Sequence, residues 1–224
     1  MPDRPVRPRS VVDGAFRVLR ALPATGADRQ VARLATLTGL PRPTVHRLLR
    51  QLRDTGAVEW ADGRWMLAAG LLGLGRQVEP LPGLRPAAAK VIGAVREQTG
   101  AAVSLVVPAG TGFVALEMVP GREHLPLDAR AGAPMPETTA AAIVLGPAGT
   151  PSARRRPYGA AVDDQHVLEG LTCYAAPVLL PGGRRAALQI ATVAARPAEA
   201  MAVAVHRAAR ALEKMVVRSA DTTA

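Results

Sequence analysis

Cysteine is nearly absent from this chain of 224 residues, and lysine is scarce. With Cys173 alone, an internal disulfide framework is excluded, and the usage fits a reducing cytoplasm. Long apolar runs are missing as well. Although 49% of the residues are hydrophobic, no stretch approaches the ~18 apolar residues of a membrane span. The opening M-P-D-R-P-V-R-P-R-S is basic and proline-rich with no apolar segment behind it. It is expected to be a flexible arm over residues 1–9 and not a signal peptide. No Walker or dinucleotide-type glycine loop occurs. His124, His166 and His206 share no metal-ligand spacing and are read as ordinary surface residues, so neither a metal nor a cofactor is expected.

What is abundant is arginine. Lys90 and Lys214 are the only lysines among 28 basic residues, a bias that fits a GC-rich coding sequence. The net charge of +10 is nonetheless uneven. Residues 1–76 carry 13 arginines against 6 acids, whereas residues 77–224 carry 15 basic groups against 12 acids. A general arginine bias would spread the excess; its concentration in the first third points to a polyanionic partner for that part.

The first third has a periodic pattern. Ser10 to Asp13 reads as a capping box, and Ala15, Val18, Leu19 and Leu22 recur at i, i+3, i+4, i+7, one face of a helix. A second helix is predicted from Asp28, with Val31, Leu34 and Ala35 inward and Thr38-Gly39 as its stop. A third follows in G-L-P-R-P-T-V-H-R-L-L-R-Q-L, residues 39 to 52, where Val45, Leu48, Leu49 and Leu52 again make one stripe. Pro41 and Pro43 mark its first turn, whose N–H groups have no intrahelical partner. Asp62-Gly63 is a two-residue hairpin signal between short strands carrying Val58, Trp60 and Trp65. Helix, turn, helix and basic hairpin in this order describe a winged helix-turn-helix over residues 10–69, whose third helix enters the DNA major groove by its N-terminal part. The segment Arg42 to Arg50 therefore supplies the candidate DNA contacts: Arg42, Pro43, Thr44, Val45, His46, Arg47 and Arg50, with Arg64 on the wing. Thr44, His46 and Arg47 are the base-edge candidates, Arg50 and Arg64 the phosphate candidates.

Residues 70–83 read as a linker helix broken by P-L-P-G, and residues 84–219 as a second domain followed by a tail, 220–224. A helix is predicted from Leu84 to Thr99. Strand-like runs at 102–107 and 113–118 are joined by Gly110-Thr111-Gly112, and runs at 172–178 and 185–192 by Pro181-Gly182-Gly183. A final helix is predicted from Pro197 to Arg218, with Val203, Ala204 and Ala211 on its apolar side. Paired strands flanked by helices indicate an α+β fold with an antiparallel sheet. Cys173 in an apolar strand reads as a buried hydrophobe and not a nucleophile. Asp163-Asp164 reads as a turn or helix cap, not an acid–base pair, and Arg154 to Arg156 as a solvated loop.

S-V-V-D-G-A-F-R-V-L, then L-A-T-L-T-G-L-P-R-P-T-V-H-R-L-L-R-Q-L, the wing, and L-A-A-G-L-L-G-L-G-R closely resemble the IclR family of bacterial transcription regulators. V-A-L-E-M-V around Glu117 and G-A-A-V-D-D-Q-H-V-L-E-G-L-T-C-Y-A-A-P-V at 159–178 resemble its effector domain. The resemblance implies a GAF/profilin-like second domain, and a homodimer or dimer of dimers on a pseudo-palindromic operator in double-stranded DNA. It implies a cytoplasmic, nucleoid-associated regulator that is a repressor and no enzyme, modulated by a small organic or aromatic acid. The effector positions it implies are Ala140, Ala141, Asp163, Leu171, Cys173, Gln189 and Ala191. Four departures stand out: Pro43 replaces the usual serine, only residues 146–157 separate the helix near Thr138 from the V-D-D motif, Ala142-Ile143 replaces the usual G-K of that helix, and Gln189 and Ala191 stand where two serines are expected. They leave open a ligand-independent regulator whose second domain only oligomerises; a nonspecific nucleoid-type binder and a thiol enzyme are the remaining alternatives.

Overall fold

The computed structural model describes residues 10–126, 130–147 and 153–223, with backbone alone from 219 onward. The arm expected at 1–9 lies outside the described residues. Contacts divide the chain into two compact units, one ending at Val78 and one beginning at Glu79.

In the first unit, α1 (Val11–Ala21), α2 (Gln30–Thr38) and α3 (Arg42–Asp54) pack on one another, followed by a hairpin of β1 (Val58–Ala61) and β2 (Arg64–Leu67) and by α4 (Gly70–Arg76). The predicted stripes converge on one core containing Val18, Leu22, Leu34, Val45, Leu48, Leu49, Leu52 and Val58. Ser10 caps α1, its Oγ accepting from the Val12 N–H at 3.2 Å. Asp13, read as the second half of a capping box, instead pairs with Arg17 at 2.9 Å. The start of α2 is two residues later than predicted: Arg29 adopts a left-handed φ of 47° and Gln30 opens the helix, so Asp28 is not its cap. Tertiary bonding accounts for the shift. The buried Gln30 amide reaches across to β2, donating to the Trp65 carbonyl and accepting from the Trp65 N–H, both at 2.8 Å. Gly39 ends α2 with a φ of 65°, the left-handed C-cap expected of it.

The second unit holds α5 (Leu84–Thr99), β3 (Ala102–Ala109), β4 (Gly112–Val119), β5 (Pro134–Met135), α6 (Ala140–Leu145), β6 (Ala161–Asp164), β7 (Leu171–Leu179), β8 (Arg185–Val193) and α7 (Ala202–Thr223). Among the described residues the sheet has six strands in the order β5-β4-β3-β8-β7-β6, every neighbouring pair antiparallel. The fold is α+β, as its strand pairs indicated. The two predicted hairpins, β3–β4 and β7–β8, join through β3 and β8. Alternation then divides their side chains between two faces. Val103, Leu105, Tyr174, Val178, Leu188 and Ile190 pack with α5 and α7, and Ala102, Cys173, Ala175, Ala187 and Ala191 pack with α6.

Three sequence expectations change here. The inward side of α7 is Val205, Ala208, Ala209, Leu212 and Val216, whereas Val203 is 71% exposed and Ala211 is also exposed. Both stripes have helical spacing, and the sheet selects the one with the larger side chains. The helix also continues to Thr223, through most of the expected tail. Asp163 and Asp164 lie in β6 and not in a turn, because β7 pairs with this segment residue by residue.

Candidate nucleic-acid interface and ligand cavity

Helix α3 turns its polar side to solvent. Arg42, Pro43, His46, Arg47 and Arg50 are exposed, Thr44 is half-buried, and Arg64 is exposed at the start of β2. Val45 is the exception among the candidates: it is fully buried in the core beneath α3 and cannot touch DNA. Its placement follows from the stripe it shares with Leu48, Leu49 and Leu52, whose burial is what forces the arginines outward. Pro43 occupies the first turn of α3 and removes one N–H from a helix end that otherwise attracts phosphate. The wing behaves as its sequence required. Asp62 and Gly63 both take positive φ, 52° and 71°, and Trp60 pairs with Trp65, ring edge to face, at 5.3 Å.

The second unit contains a cavity of 350 Å³ on the α6 face of the sheet, within the size range of small-molecule sites. Register explains its wall. Ala102, Ala191, Cys173 and Asp163 form one row across β3, β8, β7 and β6, and Ser104 is paired with Gln189 in the next row. Leu171, Cys173, Gln189 and Ala191 line the cavity together with Ser104 and Thr139. Ala140 and Ala141 are buried at the start of α6 and are not in the lining; the Ala141 N–H donates to Gln189 Oε1 at 2.8 Å. Asp163 is likewise outside the lining. It is fully buried behind Cys173, with Oδ1 at 2.9 Å from Arg154 Nη1 and 3.4 Å from His166 Nδ1.

Burial pushes the Cys173 thiol up to about 12, with the Asp163 carboxylate adding to the shift. The thiol is therefore protonated near neutrality, and its chemistry is that of a small hydrophobe. The arginine run is not a solvated loop. Arg154 holds Asp163 and donates to the Thr138 carbonyl at 2.7 Å, and Arg156 pairs with Glu199 at 2.5 Å. His206 is not an ordinary surface residue either. Its Nε2 lies 2.9 Å from the Tyr174 hydroxyl, and burial together with Arg210 lowers its pKa.

Residues 11–62 match the model of the IclR helix-turn-helix domain. The chain carries an IclR helix-turn-helix domain. No curated protein matches it. Solved structures similar to the chain include an IclR homologue from Microbacterium hydrocarbonoxydans complexed with 4-hydroxybenzoate (TM-score 0.73, 19% identity, 93% of this chain and 100% of that one). Others are an IclR transcriptional regulator from Alicyclobacillus acidocaldarius (TM-score 0.69, 20% identity, 93% and 96%) and a putative one from a Silicibacter species (TM-score 0.70, 18% identity, 94% and 96%). Over nearly its whole length the chain has the fold of IclR-type regulators.

Residue-level reading of the sequence missed Gln30, Ser104 and Arg154. Gln30 carries no local signal, because its partners are 35 residues away on the wing. Ser104 was visible as the one polar residue inside Ala102–Val107, and only strand pairing shows that it shares a wall with Gln189. Arg154 and Asp163 are close in sequence, yet it takes β6 to bury the carboxylate beside the guanidinium.

Proposed function

We propose that this IclR-type chain is a sequence-specific transcriptional repressor that binds a pseudo-palindromic operator as a homodimer and responds to a small molecule held in the 350 Å³ cavity. The observation that carries the DNA-binding half is the exposed face of α3, where Arg42, His46, Arg47 and Arg50 stand on a helix anchored by four buried aliphatics. An unpaired basic face on the second helix of a helix-turn-helix is the geometry that reads the major groove. Each protomer would then occupy one half-site, with Arg47 reading a base edge and Arg50 and Arg64 on phosphates. Among the described residues, no helix is long and apolar enough to cross a membrane.

A second copy of the chain is supported by apolar side chains the first unit leaves in solvent. Val12 and Phe16 lie one turn apart on α1, Phe16 54% exposed, and Leu74 on α4 is 64% exposed. Large apolar side chains left exposed on two helices of a small unit are more economically buried by a twin subunit than left in water.

Selection of bound sequences from random DNA, followed by competition of the winner against scrambled DNA at physiological salt, tests the reading. An inverted repeat preferred by about 10³-fold or more is the expected result. Binding without sequence preference would replace the regulator with a nonspecific DNA binder.

A further inference from the structure

We propose that the cavity of the second unit selects uncharged ligands over carboxylates, with Gln189 as the residue that sets this preference. The proposal rests on the reading of that cavity as the effector site. The 4-hydroxybenzoate in the similar Microbacterium structure is an anion, and an anion taken out of water needs cations or several N–H donors in return. This cavity offers neither in sufficient number. Among the described residues none in its lining is basic or acidic: the polar side chains are Ser104, Thr139, Cys173 and Gln189, and the remainder is Ala, Leu, Val, Met and Pro. Residues 127–129 and 148–152 contain no Lys, Arg or His.

Two backbone donors at the start of α6, next to the cavity, are already used. Gln189 Oε1 accepts the Ala141 N–H at 2.8 Å, and Thr139 Oγ1 accepts the Ala142 N–H at 3.2 Å. Behind Cys173 the Asp163 carboxylate is paired with Arg154 at 2.9 Å, so that side of the wall is formally neutral. Arg154, the cation nearest in this network, is turned to Asp163 and to the Thr138 carbonyl. What the wall does offer is neutral. Gln189 and Ser104, directly paired across β8 and β3, leave Nε2 and Oγ without a protein partner among the described residues. An amide, ester or alcohol on an aromatic or aliphatic ring of about ten non-hydrogen atoms meets both the volume and these two groups.

The experiment uses the full chain and three isosteric pairs: 4-hydroxybenzamide and 4-hydroxybenzoate, phenylacetamide and phenylacetate, indole-3-carboxamide and indole-3-carboxylate. Calorimetry at neutral pH gives the affinities, and crystals soaked at millimolar concentration give the location. The expected result is an amide in the cavity, bound about tenfold or more tighter than its carboxylate twin. In Gln189→Ala the Ala141 N–H is released, and the preference should shift toward the carboxylate by a similar factor. A carboxylate bound in the cavity as tightly as its amide overturns the charge preference and leaves the effector site standing. If no member of any pair enters the cavity, the effector reading fails and this proposal with it. Should Gln189→Ala fail to fold, the wild-type pairs still decide the matter.

Discussion

Single residues in this protein differ sharply in what surrounds them, and their predicted behaviour differs accordingly. Arg47 and Arg50 are neighbours on one exposed helix face, but a base-reading arginine and a phosphate-binding one respond differently to truncation. Arg47→Ala is expected to cost about 1–3 kcal/mol of operator binding and to relax preference at one base pair. Equal weakening on operator and scrambled DNA would remove it from the base-reading set. Arg50→Ala is expected to weaken binding to both DNAs alike and to reduce the slope of log K against log salt by about one; an unchanged slope would show that it touches no phosphate. Cys173 gives a prediction about stability. Its pKa is raised by folding, so in alkaline solution the unfolded chain loses the thiol proton first and the folded state loses stability as pH rises. The effect is absent below the unfolded value of about 8.5 and grows up to about 12, at no more than about 1.4 kcal/mol per pH unit. Urea unfolding at several pH values, wild type against Cys173→Ala, isolates it. Parallel pH profiles for the two proteins would mean that the thiol is not buried as described.

At the scale of elements, the wing is tied to α2 by one amide. Gln30 makes two 2.8 Å bonds to the Trp65 backbone, and removing it leaves a carbonyl and an N–H without that partner. Gln30→Leu is expected to destabilise the first unit by about 1–3 kcal/mol. Both tryptophans of the chain sit in this hairpin, so their fluorescence follows it directly. An unaltered tryptophan unfolding transition would show that the hairpin is held by its own turn and ring contact alone. The elements themselves were legible to different degrees. α1 and α3 announce themselves through apolar residues at helical spacing, and the wing through Asp62-Gly63. The start of α2 and the inward face of α7 were misread because each depends on what it packs against: Gln30 on the wing, Val205 and Leu212 on the sheet. The strands β5 and β6, two and four residues long, carry too few residues for a period to register.

For the whole molecule, the expected assembly is a homodimer. Phe16→Asp combined with Leu74→Asp places two charges in the exposed apolar positions and should convert the protein to a monomer in sedimentation analysis. The same variant should bind a single half-site and lose the inverted-repeat preference. A dimer that survives both substitutions would place the twin contact elsewhere. Effector control belongs to the same scale. A ligand that binds the second unit changes operator affinity only to the extent that it binds the DNA-competent and incompetent states differently.

The amino-acid sequence by itself determined α1, α3 and the wing of the helix-turn-helix unit, because their signals are local: a stripe within one helix, two prolines in a first turn, a dipeptide that demands positive φ. It also determined the paired strands of the second unit, and hence the α+β class. The character of the cavity was decided by the tertiary structure alone. Ser104 and Gln189 stand 85 positions apart in sequence and become neighbours only when β3 pairs with β8. Ala141 loses its free N–H only because Gln189 lies beneath α6, and Asp163 joins the row of Cys173 only because β6 pairs with β7. Charge preference arises from which groups share a buried volume, and no spacing along a chain encodes that by itself.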